Sequence, residues 1–107
     1  MLYISRTTKG FMNQCKARGV RWAIFSDRYG VWFPEVRHEW YEKDPANVTK
    51  AEFSALLRDF DEQLTVFSEI FFYHHPFRPL HHLYACLLKR SVLSDRIKQI
   101  KLLGEIV

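Results

Sequence analysis

The sequence predicts a small α/β domain, with a short and mainly parallel sheet and three to four helices arranged in two or three layers. Residues 20–25 form a nearly continuous apolar run, which is typical of a buried parallel strand. A helix with a capping box and an apolar stripe begins near residue 49. The order helix, strand, long loop, helix, strand, helix therefore favours a βαβ core.

The length and composition predict one intracellular globular domain. A chain of 107 residues has the size of a single domain, 1–107. Apolar residues make up 48% and charged residues 26%, which is typical of globular proteins and argues against disorder. The sequence has no apolar run of bilayer length, and its N-terminus lacks the layout of a signal peptide. We therefore expect a cytoplasmic protein without a membrane partner.

The first half of the chain predicts one helix and two extended segments. Hydroxyls in residues 5–8 can cap a helix over 9–18, and Gly19 is a typical residue for the end of that helix. After the strand at 20–25, residues 31–33 continue extended. The apolar side of this helix carries Phe11, Met12 and Cys15.

The second half predicts two helices and a strand. Thr49 and Glu52 form a capping box, residues 69–73 are typical of a strand, and a third helix begins near Pro79. The apolar spacing of the tail, 95–107, suggests a helix, and its last two residues could add a short strand. The apolar stripes of the two helices are Phe53, Leu56, Leu57, Phe60, Leu64 and Phe67, and Leu80, Leu83, Tyr84, Leu87 and Leu88.

These segments predict a thin sheet of two strands, with a possible third. The segment before the first helix, Leu2-Tyr3-Ile4, either forms a stub or leaves an edge of the sheet open. An open apolar edge favours pairing with another chain. We therefore expect a homo-oligomer or a partner chain that completes the sheet.

The candidate binding surface lies where the predicted strands end. Ligands of open α/β sheets bind outside the carboxyl ends of the strands. A Ser-Asp-Arg-Tyr-Gly turn at 26–30 follows the first strand, and two histidines follow the second, so both groups face one crevice if the strands are parallel neighbours. The alternative is a tight turn and a histidine that satisfies backbone groups. The predicted ligand-binding residues are Ser26, Arg28, Tyr29, Gly30, Tyr41, His74 and His75.

Charge and aromatic content favour nucleic acid or a nucleotide as the partner. The net charge is +4, and the basic residues gather near both ends of the chain. Aromatic residues make up 16%, and Trp22, Trp32, Trp40 and Tyr41 could stack a base, although Trp22 fits the core better. The predicted nucleic-acid contacts are Arg6, Lys9 and Arg78.

The histidines do not predict a metal site. Prolines separate His74-His75 from His81-His82, and no carboxylate or cysteine lies between the two pairs. No cofactor is predicted either, because the chain lacks a Walker loop, a Rossmann glycine pattern and a nucleophile–base signature. A general base at His74 or His75 is an alternative.

The two cysteines predict free thiols. Cys15 and Cys86 lie far apart and fit no metal spacing. Both are typical of small buried apolar residues in a reducing compartment, and a disulfide between them is the alternative.

Residues 24–31, followed by Pro34 and by the segment 41–45, resemble three loosely related groups of proteins. These groups are small uncharacterised prokaryotic and archaeal α/β proteins with a Ser-x-x-Tyr-Gly turn, YaaA-type peroxide-stress proteins, and the core domain of archaeosine synthase, an archaeal tRNA amidinotransferase. The resemblance implies an α/β fold over about residues 2–75 and a role in RNA modification. The first strand of these families, with its Cys- and Lys-bearing loop, has no counterpart here, so the amidinotransferase activity is not carried over. The matched positions are Ser26, Tyr29, Gly30 and Tyr41.

The leading hypothesis is a nucleic-acid-associated or nucleotide-binding α/β domain that lacks complete catalytic machinery. One alternative is a protein-interaction module that is completed by oligomerisation. Another is a small transferase or hydrolase that uses His74 or His75.

Overall fold

The computed structural model describes residues 1–6, 9–39, 47–75 and 80–106. Within these ranges the chain forms five strands and three α-helices, with short 3-10 turns at Ser94–Arg96 and Leu103–Glu105. In chain order the main elements are β1 (Leu2–Ser5), α1 (Lys9–Arg18), β2 (Trp22–Ser26), β3 (Gly30–Trp32), α2 (Lys50–Leu64), β4 (Ile70–Tyr73), α3 (His82–Arg90) and β5 (Ile97–Ile100).

All five strands join one mixed sheet in the order β3-β2-β1-β4-β5. The strand β1 pairs in parallel with both β2 and β4, and β5 pairs in parallel with β4. Only β3 is antiparallel, because it follows β2 in a hairpin. The radius of gyration of the described chain is 13.0 Å, as expected for a compact domain of about 100 residues. The predicted α/β class is therefore confirmed.

The strand β1 lies at the centre of the sheet, so the expectation of a stub or an open edge at Leu2-Tyr3-Ile4 is wrong. All four residues of β1 are at most 2% exposed. The segment is short, but it has hydrogen-bonded neighbours on both sides, and a strand buried on both faces needs no alternation of apolar and polar residues. The chain therefore supplies by itself the strand that the sequence suggested was missing.

The two edges of the sheet carry features that protect an edge from pairing. The edge strand β3 has only three residues and is followed shortly by Pro34. The other edge, β5, exposes Lys98 and Gln99. The tail prediction is also corrected here, because Ile97–Ile100 is a strand and not a helix. Its two isoleucines fit a helical spacing as well, and pairing with β4 decides between the two structures.

The sheet is the middle of three layers. On one face, residues of α2 and α3 such as Phe60 and Leu87 pack with Ile4 and Phe72 of the sheet. On the other face, Phe11 and Cys15 of α1 pack with Tyr3 and Tyr73, together with the 3-10 turn near Leu103. Alternate residues of β1 and β4 therefore point into different cores, as the pleat of a strand requires.

The helices begin and end where local chemistry predicts. Thr49 accepts a hydrogen bond from the backbone N–H of Glu52 at 3.1 Å, and the Glu52 side chain accepts one from the backbone of Thr49 at 3.2 Å. This capping box starts α2 as predicted. The helix α1 ends before Gly19, whose φ of 64° lies in the left-handed region that favours glycine.

A contact with α2 fixes the β2–β3 hairpin. Asp59 of α2 accepts a hydrogen bond from the backbone N–H of Val31 at 2.8 Å. The adjacent Gly30 has a φ of 73°, and a Cβ atom at this position would overlap Asp59 Oδ2 and lie 2.9 Å from Asp59 Cγ. Gly30 is therefore required by its backbone conformation and by the close approach of α2.

Gly30→Ala should lower the free energy of unfolding more than Gly19→Ala does. Both residues have a positive φ, which costs an alanine about 1–2 kcal/mol, but only Gly30 has a neighbour within 4 Å of the added Cβ. The clash with Asp59 should add about 1–3 kcal/mol. Urea unfolding of the two variants measures the difference, and equal losses would contradict the role of Asp59.

The described thiols differ in burial. Cys15 is fully buried in the α1 core, as predicted, and burial raises its pKa to about 11. Cys86 is only half-buried, contrary to the prediction, because it lies on the side of α3 that carries His82, whose Nε2 is 3.5 Å from the sulfur. Neither cysteine forms a disulfide.

At pH 8 the folded protein should react rapidly with iodoacetamide at Cys86 alone. The raised pKa keeps Cys15 protonated, and so slow to react, in the folded protein. Because the unfolded chain ionises this thiol more easily, the free energy of unfolding is at its full value below about pH 9 and falls as the pH rises towards 11. Mass spectrometry should find one modified thiol per native chain and two after denaturation. The Cys86→Ser variant is the control, and fast labelling of native Cys15 would contradict its burial.

Candidate functional site

Four strands end at one edge of the sheet, because β1, β2, β4 and β5 are mutually parallel. The chain leaves β1 towards β2 on one side and leaves β4 towards β5 on the other. The gap between β1 and β4 is therefore the topological switch point, which is where open α/β sheets bind ligands.

The predicted turn at 26–30 and His74 do lie at this edge, but they are not neighbours. The strand β1 lies between β2 and β4, which separates the two groups by two strand spacings, about 10 Å. The premise that the two strands are adjacent is wrong. As a result, the residues that follow β1 lie at the centre of the edge.

Ser26 and Gly30 have structural roles in the turn. The buried hydroxyl oxygen of Ser26 accepts hydrogen bonds from the backbone N–H groups of Arg28 at 3.1 Å and Tyr29 at 3.0 Å. Gly30 lies against Asp59, as described above. For these two residues the geometry matches the alternative interpretation, a tight turn.

Tyr29 belongs to an aromatic group on the hairpin. Its ring stacks on His38 with the ring centroids 3.9 Å apart, and it makes a T-shaped contact with Trp32 at 5.8 Å. Its hydroxyl donates to the backbone oxygen of Glu39 at 3.1 Å, and the guanidinium carbon of Arg28 lies 5.3 Å from the ring centroid. Tyr29 and Arg28 therefore lie on the β2–β3 side and not at the switch point.

Arg6 and Asp27 extend β1 and β2 by one residue each. They follow the alternation of Ile4 and Phe25, which places both on the face covered by α2 and α3. Arg6 Nη2 lies 3.5 Å from Asp27 Oδ2, and the Arg6 side chain is 45% exposed whereas that of Asp27 is buried. The guanidinium carbon of Arg6 also lies 4.9 Å from the ring centroid of Tyr84.

Tyr84 of α3 brings a buried hydroxyl to this group. Its ring is fully buried and packs edge-on against Phe25 at 5.6 Å and at an angle against Phe72 at 6.3 Å. Among the residues that the structure describes, the Tyr84 hydroxyl has no hydrogen-bond partner. The ring alone would satisfy the packing, so the hydroxyl has no structural use in the described part of the fold.

His74 extends β4 in the same way that Arg6 extends β1. Its backbone N–H donates to Ile100 of β5 at 3.0 Å, which holds the residue on the sheet. Both ring nitrogens are buried, and neither has a hydrogen-bond partner in the described ranges. Since β1 and β4 pair through Ser5 and Tyr73, His74 and Arg6 occupy the next opposed positions across the switch point.

Two helix N-termini at this edge favour the binding of a negative charge, and local hydrogen bonds stabilise the edge. The helices α1 and α3 both begin after a strand ends at this edge, so the positive ends of their dipoles face it. His81 caps α3, and its Nδ1 accepts from the backbone N–H of Leu83 at 3.1 Å. Ser5 donates its hydroxyl to the backbone oxygen of Tyr73 at 2.8 Å, and burial raises the pKa of Tyr73.

The remaining predicted residues are distributed around the edge. His75 and Lys9 are exposed, while Tyr41 and Arg78 lie outside the described residues. No group of three or more metal-ligating side chains occurs in the described ranges, and no helix there is long and apolar enough to cross a membrane. Sequence reasoning missed Asp27, which continues a buried run, and Tyr84, which fits an apolar helix stripe.

No family model, curated protein or solved structure matches the chain. The fold and the edge define a compact α/β domain with a mostly parallel five-stranded sheet. The resemblance of residues 24–31 to the three groups named above stays a prediction.

Ser26→Ala should lower the free energy of unfolding by about 1–2 kcal/mol, because two part-buried backbone N–H groups lose their acceptor. Ser54, which is exposed on α2, is the matched control, and Ser54→Ala should change stability by less than about 0.5 kcal/mol. Urea unfolding of both variants decides. Equal effects would contradict the structural role of the Ser26 hydroxyl.

Proposed function

We propose that this domain binds a small phosphate-bearing ligand of the nucleotide class at the switch point between β1 and β4. One observation carries the proposal: the buried Tyr84 hydroxyl and both buried ring nitrogens of His74 have no partner in the described residues. The Arg6 guanidinium lies over the Tyr84 ring, and His74 occupies the position opposed to Arg6 across the switch point.

Unpartnered buried polar groups are costly in the ligand-free fold. Each one that loses water without gaining a hydrogen bond costs about 1–3 kcal/mol. Phenylalanine at Tyr84 would keep the ring contacts with Phe25 and Phe72 and avoid that cost. A ligand that supplies donors and acceptors at this point would recover the energy, and this supports a binding role for both side chains.

The charges around the switch point support an anionic ligand. Arg6 is half-exposed, and its contact with Asp27 at 3.5 Å is longer than a good charge-assisted hydrogen bond. A phosphate could therefore compete for the guanidinium, with help from the helix dipoles of α1 and α3. In this arrangement the nucleoside hydroxyls or base edge would meet Tyr84 and His74, which can each donate and accept.

Tyr84→Phe should weaken nucleotide binding while leaving the ligand-free protein as stable as before or more stable. The substitution removes a hydroxyl that has no partner in the described fold, so only the complex loses a hydrogen bond. Isothermal titration with AMP, ATP, GTP and inorganic phosphate at low salt should give a Kd that rises about five- to tenfold for the nucleotide that binds best.

Charge variants test the phosphate contact in the same titration. Arg6→Gln should weaken binding at least about tenfold, whereas Arg58→Gln, which removes an exposed charge on the outer side of α2, should not. If no nucleotide binds the native protein, or if both arginine variants bind equally well, the proposal is wrong. Conversion of the nucleotide during the titration, abolished in His74→Gln, would instead favour the enzyme alternative with His74 as general base.

A further inference from the structure

The second face of the β2–β3 hairpin carries four half-buried aromatic side chains. Trp22 and Trp32 lie on the face towards α1, since Trp22 packs with that core and Trp32 pairs with Ile24, two residues after Trp22. Tyr29 meets Trp32, and His38 stacks on Tyr29 and meets Trp32 edge-on at 4.8 Å. We name these four residues, Trp22, Tyr29, Trp32 and His38, the aromatic strip.

Cations lie at both ends of the aromatic strip. Lys16 Nζ is 6.0 Å from the ring centroid of Trp22, and the guanidinium of Arg28 lies over Tyr29. Arg18 is exposed on α1, the helix that carries Lys16, and Arg37 is exposed on the hairpin that carries Arg28.

One acid of the hairpin, Glu35, is already neutralised. Both oxygens of Glu35 accept from Arg21, at 2.6 and 3.0 Å, and this hydrogen bonding lowers the pKa of Glu35. The described hairpin, 22–39, contains two further acids, Asp27 and Glu39. Asp27 lies on the other face of the sheet, next to Arg6. On α1 and the described part of the hairpin, four exposed cations, Lys16, Arg18, Arg28 and Arg37, therefore outnumber Glu39, the one acid there without a described ion pair.

We propose that the aromatic strip binds single-stranded nucleic acid by stacking bases on its rings, with phosphates held by the flanking cations. Half-buried rings beside Lys and Arg are the combination with which proteins bind single strands without reading sequence. A duplex cannot use it, because its bases are stacked on one another. A second copy of this chain is a poorer occupant, since like charges would meet across the contact.

This surface is separate from the nucleotide site of the preceding proposal. Arg6, Asp27, His74 and Tyr84 belong to the α2 and α3 face, whereas the aromatic strip belongs to the α1 face. The two proposals can therefore fail independently.

Fluorescence anisotropy with a labelled twelve-nucleotide oligo-dT, oligo-U and a duplex of equal length tests the proposal at 25 to 200 mM salt. The single strands should bind, and the duplex should bind at least about tenfold more weakly. Four phosphate-contacting cations set the upper limit of the salt dependence, a slope of log K against log salt of about −3 for single strands. Binding should also quench the tryptophan fluorescence.

Two variants and two controls locate the contact. Trp32→Leu should weaken single-strand binding at least about fivefold, the lower end of the loss expected for one stacked base. The double variant Arg28→Gln with Arg37→Gln should reduce the salt slope by about 1.4. Lys98→Gln on the opposite edge strand and Tyr84→Phe at the switch point should leave single-strand affinity within about twofold.

Absence of binding at 25 mM salt, or equal affinity for the duplex, would overturn the proposal. Equal losses of single-strand affinity in Lys98→Gln and in the double arginine variant would mean that binding depends only on the general basicity of the protein. That result would also overturn the proposal. Thermal unfolding checks that Trp32→Leu keeps its fold. If it does not, the salt slope of the double arginine variant decides, because both of those side chains lie on exposed or half-exposed parts of the hairpin.

Discussion

The position of β1 between β2 and β4 is the constraint on which the rest of the structure depends. Its four residues pair in parallel on both sides and are almost completely buried, so they set the register of both neighbouring strands. That register brings the carboxyl ends of β1, β2 and β4 into line. It also places the residue after each strand, Arg6, Asp27 and His74, at one edge and on one face. Without a central β1, the switch point would not exist.

The switch point combines groups that a stable core would normally avoid. A buried carboxylate with a half-exposed guanidinium partner, a phenol hydroxyl and an imidazole lie above the same apolar layer. The apolar layer beneath them, which includes Phe25, Phe72 and Phe60, is fully packed and needs none of these polar atoms. Local loss of stability in exchange for a preorganised binding surface is a common feature of functional sites. This is why the unpartnered polar atoms carry more weight here than the net charge of the chain.

The sequence predicts those parts of the fold that depend on neighbouring residues. The Thr49 capping box, the stop at Gly19 and the stripe of α2 are local signals, and all three are confirmed. The strands at the two ends of the chain were not predictable in the same way. Leu2–Ser5 has too few residues to show a period, and its partner in β4 lies nearly seventy residues away. Ile97–Ile100 has a spacing that fits both a helix and a strand, and only pairing with β4 distinguishes them.

The site was only partly predictable, for a related reason. The prediction that the strand ends at Ser26 and His74 lie at one edge of the sheet is confirmed, because it needs only the direction of the strands. The direction in which a hydroxyl points cannot be predicted in this way. The Ser26 hydroxyl turns inward and accepts from its own backbone. The stripe pattern assigns Tyr84 to the core, yet its hydroxyl has no partner among the described residues. The alternation of side chains along each strand then separates the two proposed surfaces. Arg6 and His74 follow one face and Trp22 and Trp32 the other, so a register shift of one residue would exchange them. The contact of Asp59 with Gly30 and Val31 holds β3 against that shift, so a part-buried carboxylate contact from α2 keeps Trp32 on the face towards α1.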